Sequence, residues 1–410
     1  MPDPVLTGAS DPPPAGWTGR ERLAIVALLL ALVGLAALRM GTRRADAARN
    51  PLDLDVLVLH VAGLSADAAT AEELARDLRF DPADMQVWSN AFAQGTDPTR
   101  SARCALAGDL VRDLSDPPTD RDLPVRLGAE GWRTLLVDDS GALSAQVGDG
   151  FSVVAPIERA EDAAPALAAH WQTGDPAPRF AFVHLGFGHE PLHADTTEAH
   201  VLAERYRLRL RRVREAIRSV AAAAETERPQ LVVLLGAAGL ERGEHPEAPE
   251  LPWDAQLHVP LLMGLRNAAG LPPGAFATLV QGADLAPTVL DVLDLRPRPE
   301  RADVSRAGIS LEPHLHGWNA APVHEDIALF GTAHVAVRSP RWKLIAPIDP
   351  PLRPRQEGSR LYALSEDPGE QNDLLANGEA GPVAERLFER LRWRFGVPGP
   401  RDPENTAQAP

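Results

Sequence analysis

The sequence predicts an α/β fold: a doubly wound sheet with helices on both faces, followed by a small C-terminal antiparallel subdomain. The run LDVLVLHV at residues 54–61 is almost wholly apolar and stops just before Gly63, as is typical of a parallel strand buried on both faces. Further apolar runs alternate with stretches of helical periodicity, which indicates strand–helix–strand units. From about residue 320, short strand-like runs follow one another directly, so an antiparallel region is expected there.

The elements of the first region, residues 54–319, are predicted in chain order. Further strands are expected at Thr134–Val137, Phe180–Leu185, Leu231–Leu235 and Val259–Met263. Helices are expected at Ala71–Leu78, Ala102–Leu114 and Tyr206–Ala224. Doubly wound sheets bind ligands outside the carboxyl ends of their strands. Any chemistry should therefore lie in the segments that follow the strands, at residues 62–67, 138–139, 186–193 and 236–245.

The second region, residues 320–396, has the pattern of a small sheet closed by a helix. Strands are expected at Ala328–Phe330, His334–Arg338, Trp342–Ala346 and Leu361–Ala363. Apolar side chains then recur every four residues, at Val383, Leu387, Leu391 and Phe395. This spacing predicts a helix with one buried stripe. The Pro-rich tail at residues 397–410 is expected to be flexible.

The N-terminus predicts a transmembrane helix that anchors the protein. Residues 1–22 have the composition of a disordered tail, and residues 23–40 contain the charge-free run LAIVALLLALVGLAAL. The run is shorter than the ~20 residues that a span needs, but flanking arginines and Trp17 extend it by reaching to the interfaces. Residues 41–53 then form a linker.

Two other interpretations of the apolar run are weaker. A cleaved signal peptide would use Ala45-Asp46-Ala47 as its cleavage site, but Arg43 and Arg44 stand where a neutral region is expected. A buried soluble helix is disfavoured because the run is apolar on every face.

Bulk composition excludes several functions. The formal net charge of −16 over 410 residues argues against a nucleic-acid partner, since phosphate backbones require a basic face. Cys104 is the only cysteine, so an intrachain disulfide and a cysteine-built metal cluster are both excluded.

Five segments, each weak alone, keep a shared order along the chain. They are LGAEGWRT (127–134), VQGADLAPTVLDVLDL (280–295), GISLEPHLHG (308–317), AVRSPRWKLI (336–345) and LYALSEDPGEQNDL (361–374). Together they resemble the sulfatase family of the alkaline-phosphatase superfamily. The resemblance implies that family's α/β fold with a small C-terminal subdomain and a location outside the cytoplasm. It also implies hydrolysis of sulfate or phosphate esters by a divalent metal and a nucleophile at a helix N-terminus.

The metal ligands of the family are replaced in this sequence. The family's acidic ligand after the first strand corresponds to Ala62, and its Asp-His pair at a later strand end corresponds to Ala237 and Ala238. A methyl group cannot coordinate a metal, whereas calcium or magnesium needs several oxygen ligands. We therefore expect no metal of the family type and, as the main hypothesis, a catalytically inactive protein.

The nucleophile region is altered as well. Thr99 and Arg103 reproduce the family's spacing between nucleophile and arginine, but counting back from Gly108 places Pro98 at the nucleophile position. Thr99 as a catalytic hydroxyl and Thr99 as a helix N-cap both remain open.

Other residues match family positions that surround the substrate. His184 and His189 lie in FVHLGFGHEP, and His245 lies in a Gly-Glu-His match. The resemblance gives His189 and His245 roles near the substrate. Lys343 lies in the AVRSPRWKLI segment and matches the family's lysine there. The alternatives are an interior histidine with its hydrogen bonds satisfied for His184, a solvated loop for His245 and a surface amine for Lys343.

A rebuilt metal site is the remaining possibility. Asp138 and Asp139 follow a strand and could bind Ca²⁺ or Mg²⁺, or Zn²⁺ or Mn²⁺, together with Asp67, His189 or Glu241. Paired acids after a strand are also common as helix caps.

Two functions of different class follow from these residues. The first is a membrane-anchored binding or scaffolding homologue whose partner is a protein or an anionic glycan. The second is an active hydrolase or transferase of sulfate, phosphate or phosphonate esters. Arginine density slightly favours a cytoplasmic domain, while the resemblance implies a periplasmic one, and we give the resemblance more weight.

Overall fold

The computed structural model describes residues 54–171, 174, 176–186, 198–240, 242–268, 271–296, 306–317, 321–350, 352–378 and 381–395. The predicted tail, anchor and linker, the boundary at residues 318–320 and the C-terminal tail lie outside the described residues. Among the helices that are described, none is both long and apolar enough to cross a membrane.

The first region forms a sheet of nine strands. They are β1 Asp55–Ala62, β2 Gln86–Phe92, β3 Arg133–Asp138, β4 Val153–Pro156, β5 Arg179–Leu185, β6 Gln230–Ala238, β7 His258–Arg266, β8 Gly274–Phe276 and β9 Val280–Gln281. The order across the sheet is β4-β3-β5-β1-β6-β7-β2-β8, with β9 also pairing with β2. The predicted first strand therefore lies at the centre of the sheet.

Ten helices accompany the two sheets in the described part of the chain. They are α1 Ala71–Asp77, α2 Pro98–Ala107, α3 Leu123–Ala129, α4 Ala142–Val147, α5 Ala163–Trp171, α6 Ala199–Ala223, α7 Asp254–Leu257, α8 Leu285–Val292, α9 Glu312–Leu315 and α10 Gly381–Arg394.

Helices cover both faces of the large sheet, as predicted. Leu57, Leu59 and Val61 of β1 pack in one core cluster with α1, α5 and α6. Val56 and Val58, which point to the opposite face, pack in a second cluster with α2, α3, α4 and α8. The continuous apolar run of β1 follows from this arrangement, because alternate side chains enter two different cores.

The sheet is mixed, which the sequence patterns do not reveal. β7 runs antiparallel to both of its neighbours, β6 and β2. β6 ends at Ala238 and β7 begins at His258, and the described residues between them contain one helix, the single turn α7. A connection without a crossover helix returns the chain at the same edge of the sheet, so the next strand is antiparallel.

β2 is a strand that the sequence patterns missed. Its pairing with β7 is interrupted between Trp88 and Ala91, and the intervening Ser89 is exposed. This irregularity breaks the alternation of apolar and polar residues that would have indicated a strand.

α2 begins and ends earlier than predicted. Asp97 caps it by accepting a hydrogen bond from the Thr99 amide at 2.9 Å, and Pro98 occupies the first turn. Gly108 ends the helix in the left-handed conformation with a φ of 65°. The prediction of a helix over Ala102–Leu114 was therefore wrong at both ends.

The second region is an antiparallel sheet, as predicted, but it has five strands where four were expected. Its strands are β10 Ile327–Phe330, β11 His334–Arg338, β12 Trp342–Asp349, β13 Arg353–Pro354 and β14 Arg360–Ala363. α10 packs on it through the predicted stripe, in which Leu387 and Leu391 are buried. The side chain of Gln94 links the two sheets by donating to Gln281 Oε1 at 2.7 Å and to the Ala328 carbonyl at 3.0 Å.

Candidate functional site

The carboxyl ends of β1 and β6 lie side by side at the centre of the large sheet. Ala62 of β1 pairs with Ala238 of β6, and the Gly63 amide donates to the Ala238 carbonyl at 2.6 Å. The register shifts between Val61 and Ala62, so Ala237 is the extra residue of a bulge. The three alanines named by the sequence analysis are thus brought together at one point.

These strand ends are packed too tightly to leave an open site. Ala62, Ala237 and Ala238 are 4%, 0% and 1% exposed. A Cβ atom on Gly236 would lie 2.5 Å from Val259 Cβ and 2.9 Å from the Leu64 carbonyl oxygen. The edge where the fold positions ligands is here a close-packed surface of small side chains.

Among the described residues, the side chains at the ends of β1 and β6 do not fit the divalent metal that the resemblance implies. The three strand-end side chains are methyl groups, which cannot coordinate a hard cation. Within the described ranges, no group of three or more His, Cys, Asp or Glu side chains could hold a metal ion. His189 and Glu241, which were named for substrate contact and for a rebuilt site, lie outside the described residues.

The N-cap residue of α4 is Gly141, and Asp138 accepts hydrogen bonds from the loop before this helix and from its first turn. One carboxylate oxygen accepts from the Ser140 amide and hydroxyl at 3.0 and 2.7 Å, and the other accepts from the amide and hydroxyl of Ser144 at 2.8 Å each. Burial alone would raise the pKa of Asp138, but these hydrogen bonds outweigh it and lower that pKa below its ordinary value. Asp139 accepts a hydrogen bond from the Gly186 amide. Asp138 thus stabilises the start of α4 without being its N-cap residue.

The loop that follows β6 carries a positively charged side chain, that of Arg242. Arg242 donates to Asp67 at 2.9 Å and to Glu244 at 2.9 Å, and its guanidinium lies 5.2 Å from the centre of the Tyr206 ring. Asp67, a candidate ligand of a rebuilt site, is therefore held in an ion pair with an arginine.

Thr99 and Arg103 both lie on α2, but their surroundings differ. Thr99 is 4% exposed and lies in the first turn, where Asp97 rather than Thr99 is the cap. The N-cap interpretation of Thr99 was therefore wrong. Arg103 forms a buried ion pair with Asp122 and donates to the Asp116 carbonyl at 3.2 Å. Its charge is neutralised within the protein.

A pair of buried histidines near the strand ends was not anticipated. His60 of β1 and His184 of β5 are directly paired in register, and their Nδ1 atoms lie 2.9 Å apart. Burial, and then the neighbouring His184, lower the pKa of His60 well below its ordinary value. His184 is thus an interior histidine, as one interpretation held. His60 could have been identified only from the strand pairing, since nothing in its local sequence marks it.

His245 and Lys343 are both buried, against the simpler expectation for each. The His245 ring stacks on Trp253 with 3.8 Å between ring centres, and the residue is 2% exposed. Lys343 is 0% exposed and contacts Asp254 and Glu370, each at 2.7 Å. The predictions of a solvated loop and of a surface amine were wrong because both residues pack at the junction between α7 and the small sheet.

Comparison with known proteins rests on structure alone, since neither a protein-family model nor a curated protein sequence matches the chain. A protein of Bacteroides thetaiotaomicron assigned to the sulfatases is 16% identical, covers 87% of this chain and 97% of its own, and has a TM-score of 0.61. A 2-O GAG sulfatase gives 16% identity, the same two coverages of 87% and 97%, and a TM-score of 0.60. The phosphonate monoester hydrolase of Agrobacterium radiobacter is 16% identical over 84% of this chain and 95% of its own, with a TM-score of 0.58.

Proposed function

We propose that this chain, which has the sulfatase fold of the alkaline-phosphatase superfamily, has a non-catalytic function. It acts as a membrane-anchored binding or scaffolding protein. The observation that carries this proposal is the buried contact of Ala62 with Ala238, at the strand ends where the resemblance places metal ligands. A site that lacks donors and space at its centre cannot stabilise the developing charge of an ester transition state through a metal.

Two further observations support the loss of catalysis. Arg103, the residue at the family's anion-holding position in one register, is committed to Asp122. Two acids considered for a rebuilt site already have partners. Asp138 accepts a hydrogen bond from the first turn of α4, and Asp67 forms an ion pair with Arg242.

The location and partners belong to the same proposal. The apolar run at residues 23–38 supports an N-terminal anchor, and the resemblance supports a periplasmic globular domain. The partner is a protein or an anionic glycan. The net charge of −16 disfavours nucleic acid.

One observation favours the alternative, an active ester hydrolase or transferase. Thr99 lies in the first turn of α2, where helix N-terminal amides stabilise an anion. A hydroxyl there needs a base or a cation to become a nucleophile, and Arg103 on the same helix is already paired.

The test uses the full chain, purified in detergent without chelator. Bound metal is measured by mass spectrometry after incubation with Ca²⁺, Mg²⁺, Mn²⁺ or Zn²⁺, and the chain is screened against sulfate, phosphate and phosphonate esters. We expect neither stoichiometric metal nor turnover. Turnover that Thr99→Ala abolishes and Thr99→Ser retains would establish the alternative.

A further inference from the structure

A charged cleft of about 510 Å³ opens between the end of α2, the segment that follows it, and α10. This volume lies in the range of small-ligand sites. No residue of the β1 or β6 strand ends lines the cleft. α2 has ten residues and is therefore about 15 Å long, and the cleft lies toward the end opposite Thr99. Apart from Arg103 and its partners Asp116 and Asp122, the cleft therefore shares no residue with the site described above.

The lining of the cleft is net positive in a strongly acidic protein. Five arginines and three aspartates border it: Arg103, Arg112, Arg121, Arg306, Arg394, Asp109, Asp116 and Asp122. The whole chain carries a formal net charge of −16. Arg103, Arg306 and Arg394 are each paired with an aspartate, so Arg112 and Arg121 supply the positive charge that can attract an anion to this concave surface.

The arginines differ in how far they are already engaged. Arg103 is 2% exposed and forms the floor through its ion pair with Asp122. Arg394 is held by Asp326 at 3.1 Å. Arg121, by contrast, is exposed, and its guanidinium has no hydrogen bond or ion pair with the described residues. Its planar fork is therefore available for an anionic group of a ligand.

An unusually exposed aromatic residue completes the cleft. Trp393 on α10 borders it and is 63% exposed, the highest value among the large hydrophobic side chains that the structure describes. The Arg394 guanidinium lies 5.2 Å from the centre of the Trp393 ring. A flat indole face beside charged donors suits a ligand with an apolar ring face and an anionic substituent. The carboxylate of Asp116, which is exposed at the same rim, supplies an acceptor for hydroxyl groups.

We propose that this cleft binds an acidic saccharide, with Trp393 against a sugar ring, Arg121 on the anionic group and Asp116 on a hydroxyl. Donors, acceptors and an apolar face in one concavity are what a sugar ring with a carboxylate or sulfate requires. This assignment gives the proposed binding function its ligand class and in that sense rests on it. The cleft itself needs neither a metal nor Thr99.

The test is calorimetric titration of the full chain in detergent with three tetrasaccharides. One carries uronate carboxylates, one carries sulfates on a neutral backbone, and one is that neutral backbone itself. We expect binding of one or both anionic tetrasaccharides, with the neutral one at least about tenfold weaker, which corresponds to one lost charge-assisted contact. The arm that binds more tightly identifies the anionic group.

Variants locate the binding in the cleft. Arg121→Ala and Trp393→Ala should each weaken the anionic tetrasaccharide about tenfold or more, whereas Trp393→Phe should retain most of the affinity because it keeps an aromatic face. The matched control is Arg353→Ala, an exposed arginine of β13 outside the cleft, which should bind like the unaltered chain.

Equal binding of neutral and anionic tetrasaccharides would overturn the assignment, and so would unchanged binding by both cleft variants. A third contrary result is that the chain binds only anionic phospholipid vesicles and that this binding requires Arg121. The last would make the ligand a lipid headgroup. None of these results bears on catalysis. Turnover that depends on Thr99 would instead refute the proposed function and leave the cleft assignment standing.

Discussion

Glu370 lies in an environment unlike that of an ordinary surface acid. It is 3% exposed, and its carboxylate contacts Lys343 Nζ at 2.7 Å and the Asp254 amide at 2.6 Å. Burial raises the pKa of Glu370 to about 7, with Lys343 opposing the rise and Asp254 adding to it. The folded protein therefore holds this proton more tightly than the unfolded chain does.

The raised pKa predicts a pH dependence of stability with a definite sign. The contribution of Glu370 is fully present below its unfolded pKa of 4.5 and is lost as the pH rises through about 7. Between pH 5 and pH 8, the free energy of unfolding of the unaltered chain should fall relative to Glu370→Gln by on the order of 3 kcal/mol. Urea denaturation across that range measures the difference. A constant difference between the two proteins would show that Glu370 does not titrate there.

A substitution at a single residue, Ala62, tests how tightly the strand ends are packed. Ala62→Asp places a carboxyl group in a site that is 4% exposed and has no partner prepared for it. We expect a loss of about 2–5 kcal/mol in the free energy of unfolding. Ala142→Asp, in the exposed first turn of α4, is the matched control and should be neutral or slightly stabilising. Recovery of Ala62→Asp by millimolar Ca²⁺ or Mg²⁺ would contradict this account, because it would mean that a metal site survives.

At the scale of elements, α2 shows how a short helix is placed by its ends. Asp97 and Pro98 fix its start, and Gly108 fixes its end because a left-handed φ of 65° favours glycine. A Cβ atom on Gly108 would also lie 3.0 Å from Pro287 Cδ, so the turn packs directly on α8. The position of Thr99 thus follows from the caps and not from Thr99 itself.

The cap of α2 can be tested directly. Asp97→Ala removes the acceptor of the Thr99 amide and should lower the free energy of unfolding by about 1 kcal/mol. Asp120→Ala, an exposed aspartate in the loop before α3, is the control and should change stability by less than about 0.5 kcal/mol. Equal losses would mean that surface charge, and not the cap, is responsible.

At the scale of the whole molecule, a largely buried charge network joins α7 to the small sheet. Asp254 of α7 contacts Lys343 of β12 at 2.7 Å and Arg338 of β11 at 2.9 Å, and Glu370 completes the group. Above the pKa of Glu370, two cations and two anions balance one another in this largely buried group. Removal of any one member leaves a buried charge uncompensated.

Lys343→Met should therefore cost about 3–5 kcal/mol in the free energy of unfolding at pH 8. Glu370→Gln in the same chain should restore part of that loss, because it removes one of the anions that Lys343 neutralises. A double-mutant cycle by urea denaturation measures the coupling between the two residues. Purely additive losses would contradict a shared network.

Local pattern was sufficient for the elements with a clear hydrophobic periodicity. The apolar run of β1, the four-residue stripe of α10 and the short strands of the second sheet are all visible in the sequence, because hydrophobic periodicity depends only on neighbouring residues. The same holds for Ala62, Ala237 and Ala238, whose chemistry as methyl groups needs no structure to be known.

Long-range packing decided the rest. The reversed direction of β7, the pairing of His60 with His184 and the burial of Lys343 each depend on residues that are distant in sequence. The cleft likewise unites α2 with α10, from opposite ends of the described chain. The sequence by itself therefore determined the strongly apolar strands, the stripe of α10 and the identity of the side chains at positions 62, 237 and 238. Only the tertiary structure decided which charges neutralise one another and which remain available, since burial and pairing are properties of the assembled chain.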